Sequence, residues 1–331
     1  MSQIEQDIQD SEVIEVQKSY FFDGFKLPVN IFLKMTAGRF ILIGKKDDRS
    51  TFSSLTSFQH PESQVFVLKT DYSTFIHAVT SLTEALMAKK EVPLATKTKF
   101  VKGLIDHVLS VFEKKNFSNE YQLRRVSKTV LGLCQNISNF DEITNILKEL
   151  PNDDSKHAIS TCIIATMLCE EMEFKQPLVM EKMVKASLLH DIGLRYIPQE
   201  ILRKPRHQWT SKERAIYETH PMKGVEALRD MKGITNDVLM MISEHHENAL
   251  GTGFPKKLRD VKISPLGRVL IVANFFSDLL YERVETTKVY EASQAVDYME
   301  DILGQPFNKQ VFRALKTVIL KDEAKNKMKT S

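Results

Sequence analysis

Histidines and acidic residues recur through the second half of the chain in a pattern that only a scaffold of packed helices can gather. The series is His157, the adjacent pair His190-Asp191, His220, and the tandem His245-His246 followed by Glu247. Each lies in a segment whose apolar spacing predicts a helix or a helix end. Ligands that project inward from facing helices of a bundle converge on one point. Imidazole and carboxylate, without paired thiolates, are the side chains that bind iron, manganese, zinc or nickel. Five imidazoles and one aspartate exceed what a single tetrahedral ion takes, but they suit two ions a few ångströms apart with Asp191 between them. Such a pair activates water and clamps a phosphodiester for in-line attack at phosphorus. A lone histidine at a helix interface is usually a hydrogen-bonded packing residue; the adjacent His-Asp and His-His pairs are what argue for a site.

The rest of the chain sets the setting for that chemistry. With 331 residues and 42% hydrophobic side chains there is room for two domains, each with its own core. The net charge of +3 is too small a bias for wrapping a nucleic acid polymer or coating an anionic membrane, so an anionic ligand must be held by local charge. The longest apolar runs, such as residues 269–276, fall far short of the roughly 20 residues that span a bilayer, and no membrane span is expected. The start is polar and acidic (Gln3, Glu5, Gln6, Asp7) and lacks the order of a secretory signal, which predicts a cytoplasmic chain. Cys134, Cys162 and Cys169 show no metal-type C-x-x-C spacing and are expected to be reduced and to pack.

The pattern changes along the chain from period two to helical. Residues 1–20 carry no strong period and read as a loose arm or a short helix. Residues 29–35 and 39–44 are rich in branched and aromatic side chains and are joined by Thr36-Ala37-Gly38, a hairpin signal. Residues 64–68 offer a third strand, and Asp71 is placed to cap a helix running to about residue 90. From Thr96 on, the spacing of Phe100, Leu104, Val108, Val111 and Phe112 is helical. Further helices are expected at 120–135, 141–150, 155–173, 178–192, 211–230, 235–247, 264–282, 288–303 and 308–322. The expected fold is therefore α+β overall: a small α+β module over residues 1–90, a helical connector over 91–150, and an all-α bundle over 151–331.

Two stretches carry a resemblance to a known family. Ser187-Leu188-Leu189-His190-Asp191-Ile192-Gly193 resembles the H-D-x-G-K signature of the HD superfamily of metal-dependent phosphohydrolases. His245-His246-Glu247-Asn248-Ala249-Leu250-Gly251-Thr252-Gly253-Phe254-Pro255 is similar to the H-H-E-x-x-x-G-x-G-Y-P signature of the HD-GYP subgroup. Between them, Ile197-Pro198, Ile201-Leu202, Lys204-Pro205 and Thr219-His220-Pro221 resemble the connecting segment; beyond them residues 268–279, Arg283 and residues 304–312 continue the likeness, which covers about 150–320. The resemblance implies an HD-type helical bundle around two or three iron or manganese ions, zinc being a further fit. It also implies a bacterial signalling phosphodiesterase that hydrolyses cyclic di-GMP to linear pGpG or GMP with a metal-bridging hydroxide.

The ligands carried over by the resemblance are His157, His190, Asp191, His220, His245 and His246, with Asp191 also the catalytic residue. Asp153, one turn before His157, falls where some members place a glutamate for a third ion; the alternative is an ordinary helix N-cap. Arg283 matches an arginine that holds a ligand phosphate or guanine, against a solvated charge at a helix end. Gly251 and Gly253 are read as permitting a tight loop that brings Phe254, and Gly253 itself, to the ligand, and Glu247 as orienting a ligand histidine from behind. Lys256, Lys257 and Arg259 either steer an anion or are solvated surface. Leu27-Pro28-Val29-Asn30-Ile31-Phe32-Leu33-Lys34 and Lys69-Thr70-Asp71-Tyr72 resemble an accessory domain, implying a regulatory module able to dock a protein partner.

Three positions depart from the family pattern. Leu194 stands in place of the lysine, Phe254 in place of the tyrosine, and Asn274 in place of an aspartate expected as a metal ligand, with Asp278 one turn on as the other residue able to reach in. A cation, a hydroxyl and a carboxylate charge are thereby lost. Three functions remain open: a cyclic di-GMP phosphodiesterase, a weak or inactive relative that senses cyclic di-GMP or a related nucleotide, and a scaffold whose metals only stabilise the bundle.

Overall fold

The computed structural model describes residues 5–16, 18–21, 26–36, 38–49, 64–113, 120–137, 139–281, 288–302 and 305–330. The chain divides into two compact units, residues 1–107 and 108–331, so the division falls inside the stretch expected as a connector. In the first unit, strands β1 (Glu5–Asp7), β2 (Val13–Val16), β3 (Ile31–Thr36), β4 (Arg39–Gly44) and β5 (Val65–Leu68) form one sheet. Their order is β1-β4-β3-β5-β2, and every pairing is antiparallel. The expected hairpin is β3–β4, in register at Leu33 and Ile41. One face buries Ile8, Val13, Phe32, Phe40 and Phe66, with the rings of Phe40 and Phe66 edge to face at 5.4 Å. In the stretch expected as a loose arm or a short helix, the described residues form β1 and β2, at the two edges of the sheet, and short 3-10 turns at Asp10–Glu12 and Lys18–Tyr20. Strands of three and four residues are too short to show alternation, and a sheet edge supplies the pairing that the local sequence does not advertise.

Helix α1 (Tyr72–Ala88) buries Phe75, Ile76, Val79, Thr80, Thr83 and Met87, a stripe at helical spacing, and α2 (Leu94–Glu113) follows. In α2 the buried His107 ring receives the Tyr72 hydroxyl at Nδ1, and burial pulls the imidazole down to about 4.

The second unit is all helical: α3 (Glu120–Gln135), α4 (Phe140–Glu149), α5 (Asp154–Glu171), α6 (Pro177–Leu189), α7 (Gln199–Leu202), α8 (Ser211–Tyr217), α9 (His220–Leu228), α10 (Asn236–Glu244), α11 (Pro265–Leu279), α12 (Ala292–Asp301) and α13 (Lys309–Thr330). Helix α5 is the axis. It is buried on all sides, from Ser155 to Cys169, and packs between α6 and α11. A helix enclosed in this way shows little amphipathic pattern, because every face meets protein. Cys134, Cys162 and Cys169 are free and buried, and burial pushes the Cys169 thiol up to about 12, as suits a packing residue. Among the described residues no helix is long and apolar enough to cross a membrane.

One expected helix is two. Residues 211–230 break at Glu218 and Thr219, because Pro221 has no N–H to continue the ladder, and α9 restarts with His220 as its first residue. The restart brings α9 hard against the turn after α6. A Cβ on Gly193 would lie 1.9 Å from the His220 carbonyl oxygen and 2.7 Å from the Gly224 amide nitrogen, so only glycine fits the crossing.

Gly193→Ala should therefore destabilise the protein by about 1–3 kcal/mol or more, read from urea unfolding, since backbone rather than a flexible side chain must move. His107 gives a pH dependence. Its imidazole is neutral when folded and titrates near 6.5 when unfolded, so the unfolded chain binds more protons between those values. Stability is complete above about pH 6.5 and falls by on the order of 3 kcal/mol as the pH drops towards 4. His107→Gln should flatten that slope in urea titrations across the range.

Candidate metal centre

The helix ends place the donors. His157 sits in the first turn of α5, whose N-cap is Asp153, its carboxylate accepting from the Lys156 amide at 2.9 Å. His190 closes α6 and Asp191 follows it outside the helix, at φ −92° and ψ 5°. His220 begins α9, while His245 and His246 follow the last residue of α10. Asn274 lies within α11 and is buried. Glu244, at the end of α10, fixes the start of α11: its carboxylate accepts from the Ser264 amide at 3.1 Å and from its hydroxyl at 2.6 Å.

Two groups of donors result, and Asp191 belongs to both. His157, His190 and Asp191 form one; Asp191, His220, His245 and His246 form the other, with the donor atoms of each within 4.8 Å of one another. Oδ2 of Asp191 faces His190 Nε2 at 3.3 Å and His157 Nε2 at 3.7 Å. Oδ1 faces His220 Nε2 at 3.4 Å and His245 Nε2 at 3.5 Å. Within the groups, the Nε2 atoms of His157 and His190 are 3.1 Å apart, as are those of His220 and His245.

These atoms fit a cation. His190, His220 and His245 each point Nδ1 at the main-chain carbonyl three residues earlier, Ser187 at 2.8 Å, Tyr217 at 2.8 Å and Ile242 at 2.6 Å. A carbonyl only accepts, so Nδ1 carries the hydrogen and the neutral ring presents a bare lone pair at Nε2. Burial pushes His245 down to about 4, and burial together with its neighbours His245 and His220 holds His246 well below the usual range, so both are neutral at neutral pH. Burial acts to raise the Asp191 carboxyl, whereas positive charge at His190 first, and hydrogen bonds from His190, His220 and His245, would hold it well below the usual carboxylate range, so the carboxylate calls for cationic partners that neutral imidazoles lack and a metal would supply. Lone pairs and a carboxylate oxygen converging with no proton between them are stable only around positive charge, and imidazole with carboxylate is a divalent-metal donor set.

The remaining sequence-derived residues fall in several places. Asn274 Oδ1 is 2.8 Å from His157 Nε2, on the side of Asp191, whereas Asp278 Oδ1 is 3.5 Å from Nδ1 on the opposite edge of the same ring. Phe254 stacks on His246 with ring centroids 4.5 Å apart, and its amide donates to the His246 carbonyl at 3.1 Å. Gly253 lets that loop close: a Cβ there would lie 2.4 Å from the His246 carbonyl oxygen. Glu247 does not orient a histidine. It is buried, and its two oxygens accept from the amides of Lys256 at 2.6 Å and Leu258 at 2.7 Å, which pins the loop that carries Phe254. Leu194 and Phe254 both pack on one apolar cluster of Ile197, Ile201, Trp209 and Tyr217. Lys256, Lys257 and Arg259 are exposed. Arg283 lies outside the described residues.

Sequence reasoning missed Tyr281, whose buried hydroxyl is 2.7 Å from His157 Nδ1. A signal existed: Asn274, Ser277 or Asp278, and Tyr281 are spaced to share one helical face.

Comparison with known proteins supports the same region. The HD domain family profile matches residues 142–311. Cyclic di-GMP phosphodiesterase PA4108 of Pseudomonas aeruginosa is 34% identical over 158 residues, covering 48% of this chain and 37% of that protein. The 3'3'-cGAMP-specific phosphodiesterase 2 of Vibrio cholerae is 38% identical over 95 residues, covering 28% of this chain and 18% of that protein. The matched stretch thus spans less than half the length of either relative. Among solved structures, Bd1817, an HDG"Y"P protein from Bdellovibrio bacteriovorus, shares the fold with a TM-score of 0.68 at 19% identity, over 94% of this chain and 100% of that one.

Two outcomes follow from this geometry. Replacing His245 and His246 together with alanine should empty at least one metal position, as read by elemental analysis of the purified protein. Glu247→Gln leaves one of two part-buried amides without its acceptor and should cost about 1–3 kcal/mol in thermal unfolding, with faster hydrogen exchange across residues 254–258.

Proposed function

The chain belongs to the HD domain family as an HD-GYP domain protein, and from that membership we propose that it is a metal-dependent cyclic di-GMP phosphodiesterase. The observation that carries the reading is the single carboxylate of Asp191, with one oxygen towards each set of histidines. His157, His190, Asp191 and Asn274 would hold one divalent cation, and Asp191, His220, His245 and His246 a second; iron is the proposed metal, with manganese or zinc able to fit the same donors. When bound, such ions neutralise phosphate charge and lower the pKa of water. The protein's own residues do the rest. Main-chain carbonyls lock three imidazoles in the tautomer that ligates, and Asp191 sets the spacing of the two positions. Phe254 shields one face of His246 from water. Arg283 is the proposed holder of a ligand phosphate, and Gly253 and Phe254 are proposed to shape the wall beside His246. The first unit is proposed as a regulatory module for a protein partner.

A second reading has its own observation. Leu194 is packed into the same apolar cluster as Phe254, so the wall next to His246 offers neither an ammonium nor a phenol hydroxyl at these two positions. Single contacts of that kind are worth about 3–4 kcal/mol to a rate. A protein that binds the nucleotide and turns it over slowly or not at all would have this wall.

Purification without air, assay of iron, manganese and zinc, and incubation with cyclic di-GMP and with 3'3'-cGAMP separate the readings. Formation of pGpG or GMP is the expected result; saturable binding without product supports the sensor. Neither binding nor turnover by metal-loaded protein overturns both and leaves metals that only brace the bundle.

A further inference from the structure

The histidines of the centre are not held alike. His190, His220 and His245 turn Nδ1 to main-chain carbonyls, which carry dipoles. His157 turns Nδ1 to three side chains at and just past the end of α11: the Tyr281 hydroxyl at 2.7 Å, the Ser277 hydroxyl at 3.4 Å and the Asp278 carboxylate at 3.5 Å. Asp278 is mostly buried, its side chain 18% exposed, and it brings a full charge. A carboxylate behind an imidazole fixes the ring and makes its far nitrogen a stronger donor.

The charges around His157 show why that matters. His157, His190 and Asn274 are neutral donors, and the one carboxylate among the donors of this group, Asp191, is shared with the other group. Two divalent cations would bring four positive charges to a buried place with a single carboxylate between them, and buried charge without compensation is costly. Asn274 and Asp278 are one turn apart on α11, one reaching the inner edge of the His157 ring and the other its outer edge. Tyr281 lies between this edge and Lys156, whose ammonium is 4.8 Å from the ring centroid.

We propose that Asp278 and Tyr281 are positioning residues for His157, supplying from behind the ring the negative charge and the orientation that the neutral amide of Asn274 does not bring to its metal-facing side. This inference rests on the metal-centre reading above.

The test is Mn2+ binding to the full chain, purified without air and stripped of metal, followed by calorimetry and by elemental analysis after desalting. The wild type should take up two ions. Asp278→Asn and Tyr281→Phe should each weaken one of them by about 10- to 100-fold while leaving the second, and the melting temperature of the metal-free protein, in place. Asn274→Asp combined with Asp278→Asn moves the charge from the outer to the inner edge of the ring and should recover the lost affinity. Tyr281→Phe removes only an oxygen atom, so it reports even where a change at Asp278 disturbs folding. Two ions bound with unchanged affinity in both single variants would overturn the inference and leave the metal centre standing. No recovery in the double variant would overturn the charge argument. A wild type that binds no Mn2+ would overturn the inference together with the reading beneath it.

Discussion

The arrangement of the second unit depends on one carboxylate facing two ways. For Asp191 to present Oδ2 to His157 and His190 and Oδ1 to His220 and His245, the chain must leave the helix at His190 and turn at once. That turn brings α9 so close that a glycine is required at 193, and the same approach delivers His220 at the first position of α9. The opposite wall is fixed by Glu244, which ties the end of α10 to the start of α11 and so sets where Asn274 and Asp278 fall along the central helix. The geometry of the centre and the packing of the bundle are one constraint, because the same backbone crossings serve both.

The departures from the family pattern are coupled in space although they are far apart in sequence. Leu194 and Phe254 share an apolar cluster with Trp209 and Tyr217, and Phe254 stacks on His246. On the other side, Asn274 and Asp278 flank one imidazole, and the charge missing from its inner edge is found at its outer edge. An isolated amide substitution would read as damage. Placed next to Asp278 and Tyr281, it leaves a carboxylate 3.5 Å from the other nitrogen of the same ring.

Much of this was legible before any coordinates. Long segments such as residues 120–135 and 155–173 appear as helices close to their expected ends, and the hairpin at residues 29–44 appears as β3 and β4. The misreadings have separate physical causes. Strands β1 and β2 are three and four residues long and owe their conformation to the strands they pair with, which no local pattern records. The break at Thr219 follows from Pro221, whose missing N–H was in the sequence but was outweighed there by continuous apolar spacing. Glu247 was expected to face a histidine because it follows two; its carboxylate instead accepts from the amides of a loop that only the fold brings beside it.

By itself the sequence determined which residue types the second half offers to a metal and that helices carry them, because metal preference follows side-chain chemistry and helical periodicity is local. Only the tertiary structure decided which donors share Asp191, which edge of His157 belongs to Asn274 and which to Asp278, and that Tyr281 takes part at all. Those choices are set by helix crossings and by the rotation of each helix about its axis, and both are fixed by contacts between residues distant in sequence, as His157 and Tyr281 are.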